Sequence, residues 1–95
     1  MKYTFKIIDN RKHLEIENNF FPILNTFLLS EAINFDDIIE EVVREYEENS
    51  TSYFSGNLFS LELENKNAIL YNKFTDEKNI IPANLFIEIF REWNK

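Results

Sequence analysis

The chain has 95 residues, a mass of 11.5 kDa and a formal net charge of −7, and this length predicts a single domain over residues 1–95. The apolar content of 44%, with ten Phe, excludes a disordered segment, and the absence of Cys excludes a disulfide scaffold. No apolar run is long enough to cross a membrane and no export signal is visible, so we expect a cytoplasmic protein. The negative charge argues against nucleic acid as a partner.

The first residues predict strands and then helices. Apolar residues alternate with polar ones over residues 3–7, which is typical of a half-buried strand. A shorter alternation over residues 14–17 predicts a weaker partner strand, after a polar turn at residues 9–12. Pro22 marks a place where a helix can start, because proline needs no backbone donor in the first helical turn.

A second helix follows, and it carries most of the negative charge. Between Glu31 and Glu48 there are eight acids and one base, Arg44, whereas the rest of the chain holds nine acids and nine bases. We expect a break near residues 34–37, with Asn34 or Asp36 as the cap. An apolar stripe then recurs at helical spacing, which points the acids toward water.

The last third predicts a hairpin and a helix. Alternation over residues 59–71, interrupted by the polar turn at residues 65–67, indicates two antiparallel strands. Gly56 precedes them, where a bulge or a positive φ would require glycine. Pro82 opens the final helix. The whole order predicts an α+β fold, an antiparallel sheet of three to four strands with about three helices packed on one face, leaving the other face or an edge partly open.

Catalytic chemistry is not visible in the sequence. The chain has no Cys and one His, His13, which we expect to be an exposed bystander in a turn. Phosphate-loop, zinc-type and EF-hand patterns are missing. We therefore predict no enzyme, no catalytic residue, no cofactor and no metal site.

The acidic helix has two interpretations. A solvated face that keeps the protein soluble explains much of it. Three glutamates lie near the helix C-terminus, however, where the helix dipole disfavours negative charge by about 0.3–1 kcal/mol each before screening, and this favours a cationic partner. The predicted contact residues are the helix acids and two exposed aromatic anchors in a specificity loop over residues 49–54: Asp37, Glu40, Glu41, Glu47, Glu48, Tyr53 and Phe54.

The segment from Tyr53 to Glu62, followed by a turn, a second strand and a C-terminal helix ending in Trp93, resembles small bacterial immunity proteins of contact-dependent growth inhibition and related polymorphic toxin systems. The resemblance covers the C-terminal half best. It implies a cytoplasmic inhibitor of one toxin domain, usually a nuclease, with Gly56 and Asn57 in structural roles.

Charge and resemblance together predict stoichiometric neutralisation of a basic toxin C-terminal nuclease domain, because a nuclease that binds polyanions is usually basic. Two alternatives stay open: an acidic nucleic-acid mimic that inhibits a host defence enzyme, and a non-catalytic scaffold subunit that uses an open sheet edge. We expect a protein partner, no membrane, and a monomer or weak homodimer.

Overall fold

A computed structural model describes residues 2–95. In chain order it contains β1 (Tyr3–Ile8), β2 (Arg11–Ile16), α1 (Leu24–Phe27), α2 (Ile33–Asn49), β3 (Thr51–Ser55), β4 (Phe59–Glu64), β5 (Asn67–Asn72), β6 (Lys78–Pro82) and α3 (Ala83–Trp93). A 3₁₀ turn over residues 17–19 follows β2, and a π-helical turn over residues 28–32 joins α1 to α2.

The strands form two antiparallel sheets. β1 and β2 make a hairpin of their own, and β3, β4, β5 and β6 form a four-stranded meander in sequence order. Two-residue turns close both predicted hairpins, at Asp9 and Asn10 and at Asn65 and Lys66, and all four residues have positive φ, as in the tight turns that match strand twist. The hairpin over residues 59–71 is thus confirmed, whereas the N-terminal strands lie outside the main sheet.

Two strands of the main sheet, β3 and β6, were not predicted from the sequence. In β3 a polar residue takes an inward position: Ser52 is buried, and its hydroxyl donates to the Val42 carbonyl at 2.7 Å. In β6 two isoleucines are adjacent, so period-two alternation is not visible. The predicted specificity loop over residues 49–54 is therefore the end of α2 and most of β3.

The helices lie on one face of the main sheet, which confirms the predicted fold class. α2 packs against β3 and β4, and α3 packs against β5 and β6. Buried aromatic rings join the layers: the ring centroid of Phe27 lies 5.6 Å from that of Phe59 and 5.9 Å from that of Phe86. The β1–β2 hairpin packs on α1 and the π turn, so it covers this part of the helical layer and leaves the outer face of α2 exposed.

The expected break before α2 takes a different form. The chain stays helical from the π turn into α2, and Phe35 alone departs, with φ −130° and ψ 30°. Neither Asn34 nor Asp36 caps a helix; the Asn34 amide donates instead to the Ser30 carbonyl at 2.8 Å. Since the π turn already supplies helical carbonyls to the first amides of α2, those amides need no side-chain cap.

Within residues 2–95, no helix has the length and the apolar character needed to cross a bilayer.

Candidate partner-binding surface

The outer face of α2 carries exposed acidic side chains, as the apolar periodicity predicted. Ile39, Val42 and Val43 are buried against the sheet. Asp37, Glu41 and Glu48 are exposed. Within residues 2–95, α2 has five acidic side chains with no salt bridge: Asp36, Asp37, Glu41, Glu45 and Glu48.

Two of the predicted contact residues bind a base of the protein itself. The Arg91 guanidinium on α3 donates to both carboxylate oxygens of Glu40, at 2.8 and 3.3 Å, and to both of Glu47, at 2.9 and 3.1 Å. These hydrogen bonds lower the pKa of Glu47 against a smaller opposing effect of desolvation, and they raise the pKa of Arg91. Arg44 adds a longer pair with Glu40, at 3.7 Å.

The Arg91 contacts give the negative charge at the C-terminus of α2 a role inside the protein, whereas the sequence had suggested a cationic partner. Glu47 lies where the helix dipole disfavours it, yet Arg91 compensates by joining α3 to α2. Glu40 and Glu47 thus have an internal role in helix packing. The unpaired charge is on the predicted contact residues Asp37, Glu41 and Glu48, together with Asp36 and Glu45, which the sequence count included but the predicted contact set did not. Nothing in the sequence pairs Arg91 with α2, because Arg91 lies 44 residues from Glu47 and 51 from Glu40 along the chain.

The two predicted aromatic anchors point to opposite faces of β3. Tyr53 is 60% exposed on the open face of the sheet. Phe54 is only 5% exposed, and its ring lies 5.9 Å from that of Phe35. The prediction of an exposed Phe54 is wrong, since strand alternation turns it toward the helices. Tyr53 remains available to a partner.

The sheet face opposite the helices is uncovered. Across its middle runs one row of directly paired residues from the four strands: Tyr53, Glu62, Ile69 and Ile80. Ile80 is 56% exposed and Ile69 is partly exposed. The open face predicted from the chain length is therefore present, and on it Glu62 separates Tyr53 from the apolar pair Ile69 and Ile80.

A buried carboxylate holds the loop between β3 and β4. Glu31, in the π turn, is 1% exposed. Its oxygens accept backbone N–H groups from Asn57, at 3.3 Å, from Phe59, at 3.0 Å, and from Leu58. One of the eight acids counted in the acidic segment is thus internal, and it serves the loop rather than a partner.

Lys73 holds the same loop from the other side. Its ammonium donates to the Gly56 carbonyl and to the Ser55 hydroxyl, each at 2.6 Å, and its backbone N–H donates to the Leu58 carbonyl at 2.8 Å. Gly56 does not have positive φ, so of the two predicted reasons for glycine, a bulge or a positive φ, the second is wrong. The reason is space, because the Glu31 carboxylate occupies the position that a side chain would take. Gly56 itself was the sequence signal for this contact.

Two surface depressions lie beside the N-terminal hairpin, and both are lined by Glu15 and Ile16. One, of about 390 Å³, lies beside β2, and Glu15 is its one titratable lining residue. His13 lies on β2 rather than in a turn, and its Nδ1 is 3.4 Å from the Asn25 amide nitrogen. Among residues 2–95, no three His, Cys, Asp or Glu side chains come together as a metal site.

Comparisons of this chain with protein-family models, with curated proteins and with solved structures found no match.

Proposed function

We propose that this protein is a cytoplasmic, non-catalytic inhibitor that binds and neutralises a basic nuclease toxin domain through the acidic face of α2. The observation that supports the proposal is the negative charge of α2 that remains after its salt bridges with Arg91 and Arg44 are counted. Arg91 and Arg44 both contact Glu40, and Arg91 also contacts Glu47, yet five acids of α2 still lack a partner among the described residues.

Such a surface suits electrostatic binding. Exposed like charges on one helix repel each other by a few tenths of a kcal/mol per neighbouring pair, so they do not serve the stability of α2. A cationic surface relieves that repulsion and gains attraction, and it speeds encounter by roughly 10- to 10³-fold at low salt. Confinement of these acids to α2 favours one basic patch on a protein over mimicry of a regular phosphate backbone.

The available area is adequate for a stable complex. The solvent-accessible surface is 5820 Å², and a standard interface takes about 800 Å² from each partner. The outer face of α2 and the neighbouring β3 edge can supply part of such a patch, whereas Tyr53 and the isoleucines of the open face lie on the other side of the sheet.

The test is to look beside the gene of this protein for one that encodes a secreted protein with a basic C-terminal nuclease domain, and to measure association with that domain and inhibition of its cleavage. We expect one-to-one binding that abolishes cleavage. Glu41→Lys with Glu48→Lys should slow association at least about tenfold at low salt. Glu77→Lys with Glu92→Lys is the matched control, because it changes net charge equally on exposed side chains away from α2. Equal association rates for the two variants would refute the role of α2.

A further inference from the structure

The four-stranded sheet has two edge strands, β3 and β6, and their unpaired backbone groups can be assigned. The Gly56 N–H donates to the Phe59 carbonyl at 2.9 Å, so odd-numbered residues of β4 face β3. Antiparallel pairs alternate, and the even-numbered residues of β3 therefore face β4. The N–H and C=O groups of Thr51, Tyr53 and Ser55 point away from the sheet.

The same reasoning applies to β6. The Asn72 N–H donates to the Glu77 carbonyl at 2.9 Å, so odd-numbered residues of β6 face β5. The outward residues are then Lys78, Ile80 and Pro82. Lysine and proline are the residue types with which proteins protect an edge strand from pairing with another chain.

In the N-terminal hairpin, the outward edge of β2 is protected as well. The outward Leu14 N–H of β2 donates to the Asn25 side chain at 2.8 Å, and the outward Lys12 carbonyl accepts from the Trp93 indole at 3.3 Å. β1 is an open edge, because the Glu17 N–H donates to the Lys2 carbonyl at 2.9 Å and the outward residues of β1 are therefore Tyr3, Phe5 and Ile7. The outward groups of β1 and β3 thus both lack lysine, proline and a covering side chain, and of these two edges β3 is the one that packs against the acidic helix α2.

One flank of α2 lies above this edge. Glu40 and Glu47 face α3, which covers β5 and β6, while α2 itself lies over β3 and β4. At about 100° per residue, Glu45 is roughly 140° around the helix from Glu40 and 160° from Glu47. Ile38 and Glu41 also lie on the side away from α3. We call these three residues (Ile38, Glu41 and Glu45) the outer flank of α2, and it is the flank on the β3 side.

We propose that the β3 edge binds a β-strand of the partner protein whose side chains on the helix side are basic, so that strand pairing and charge recognition occur together. The proposal rests on the proposed function for the basic character of the partner. Main-chain hydrogen bonds from Thr51, Tyr53 and Ser55 would supply affinity, and the outer flank of α2 would select lysine or arginine at alternate positions of the added strand.

Charge distinguishes this occupant from a second copy of the chain. Two β3 edges pairing antiparallel about a two-fold axis would join the sheets with both α2 helices on one face. The two outer flanks would then oppose each other, bringing Glu41 and Glu45 toward their own copies. Like charges oppose self-pairing, whereas a strand carrying basic residues is attracted by the same groups.

The test uses the intact protein and a synthetic peptide, acetyl-Thr-Lys-Val-Lys-Val-Lys-Thr-amide, at millimolar concentration and low salt. Amide exchange and NMR shifts are followed residue by residue. We expect exchange of the Thr51, Tyr53 and Ser55 amides to slow at least about tenfold, with shifts on the outer flank of α2. A peptide with glutamate in place of lysine should protect none of them.

Four variants complete the experiment. Tyr53→Pro removes an outward N–H without removing a bond to β4, and Tyr53→Lys places a protecting residue on the edge; either should abolish protection. Ile80→Pro removes an outward N–H from β6 in the same way, and protection of the β3 amides by the peptide should be unchanged in this variant. Glu41→Gln with Glu45→Gln should weaken peptide binding at least about tenfold.

Three results would overturn the proposal: shifts on α2 without protection of the β3 amides, equal protection by the glutamate peptide, or self-association of the protein alone through β3. Because this test uses a peptide and not the toxin, it can refute strand addition without refuting nuclease inhibition, which is measured separately. If the protein inhibits the nuclease but the peptide does not protect the β3 amides, the proposed function stands and strand addition is refuted.

Discussion

The carboxyl group of Glu31 fills the space directly in front of the Gly56 Cα atom. A Cβ atom added to Gly56 would lie 2.7 Å from the Glu31 carboxyl carbon and still closer to one of its oxygens, and 3.0 Å from the Phe54 ring. The carboxylate is held there by three backbone N–H groups of the following loop. The π turn, the β3–β4 loop and the single glycine thus depend on one another.

Gly56→Ala should destabilise the protein by about 1–3 kcal/mol, because the added methyl group must displace a bound carboxylate or the loop that binds it. Chemical denaturation measures the loss. Asn57→Ala is the control, since Asn57 is exposed, and it should change stability by less than about 0.5 kcal/mol. Equal stability of the two variants would contradict the steric role of Glu31.

Glu31→Gln should cost about 1–3 kcal/mol, since the new amide group offers one acceptor oxygen and turns a donor toward backbone N–H groups that need acceptors. Glu48→Gln, on the exposed face of α2, is the control with the same chemical change. In the background of Glu31→Ala, Gly56→Ala should cost less than it does alone, because the obstructing group is gone. If the losses of stability in this double-mutant cycle were strictly additive, Glu31 and Gly56 would not interact energetically.

Arg91→Gln should lower stability by about 1 kcal/mol, the upper range for ion pairs that are partly exposed, because it removes four hydrogen bonds between α3 and α2. The loss should shrink as salt is added, since ions screen the pair. Urea unfolding at low and high NaCl measures both effects. Arg44→Gln, which loses only a 3.7 Å contact, should have little effect at either salt concentration.

Acid should remove the contribution of Glu47. Its hydrogen bonds with Arg91 lower the pKa of Glu47 below the ordinary value of 4.5, so its stabilisation is complete above that value and is lost as the pH falls through the folded-state pKa. The stability of the wild type should therefore exceed that of Glu47→Gln at neutral pH, and the difference should disappear in strong acid. Glu48→Gln, measured alongside, corrects for net charge. A difference independent of pH would exclude an ionic role for Glu47.

Alkali should weaken the link between the hairpin and α3. The hydroxyl of Tyr3 donates to Glu88 at 2.6 Å, and this bond, with a smaller effect of burial, raises the pKa of Tyr3 from 10.0 to about 12. Its stabilisation is complete below pH 10 and is lost between pH 10 and 12. Tyrosinate absorbance, compared with that of Tyr3→Phe, isolates this titration. Glu88→Gln should return the pKa of Tyr3 toward 10, and an unchanged titration would show that Glu88 is not the cause.

Local sequence patterns predicted the helices and strands that depend on residues close together in the chain. The β4–β5 hairpin follows from strict alternation and a two-residue turn, and α2 and α3 follow from their apolar stripes. The strands β3 and β6 were missed because a buried Ser52 and the adjacent Ile80 and Ile81 hide the alternation. The grouping of strands into two sheets was also missed, since sheet membership depends on contacts between distant segments.

For the candidate surface, too, the sequence predicted some features and missed others. Composition and helical period by themselves determined that the charge of −7 arises from one segment, that most of this segment is a helix, and that most of its acids face outward. Only the tertiary structure decided which acids are free: Arg91 binds Glu40 and Glu47 from another helix, and Glu31 turns inward to the Gly56 loop. The physical reason is that periodicity fixes the direction of a side chain around its own helix, whereas its partner and its exposure depend on what packs beside that helix.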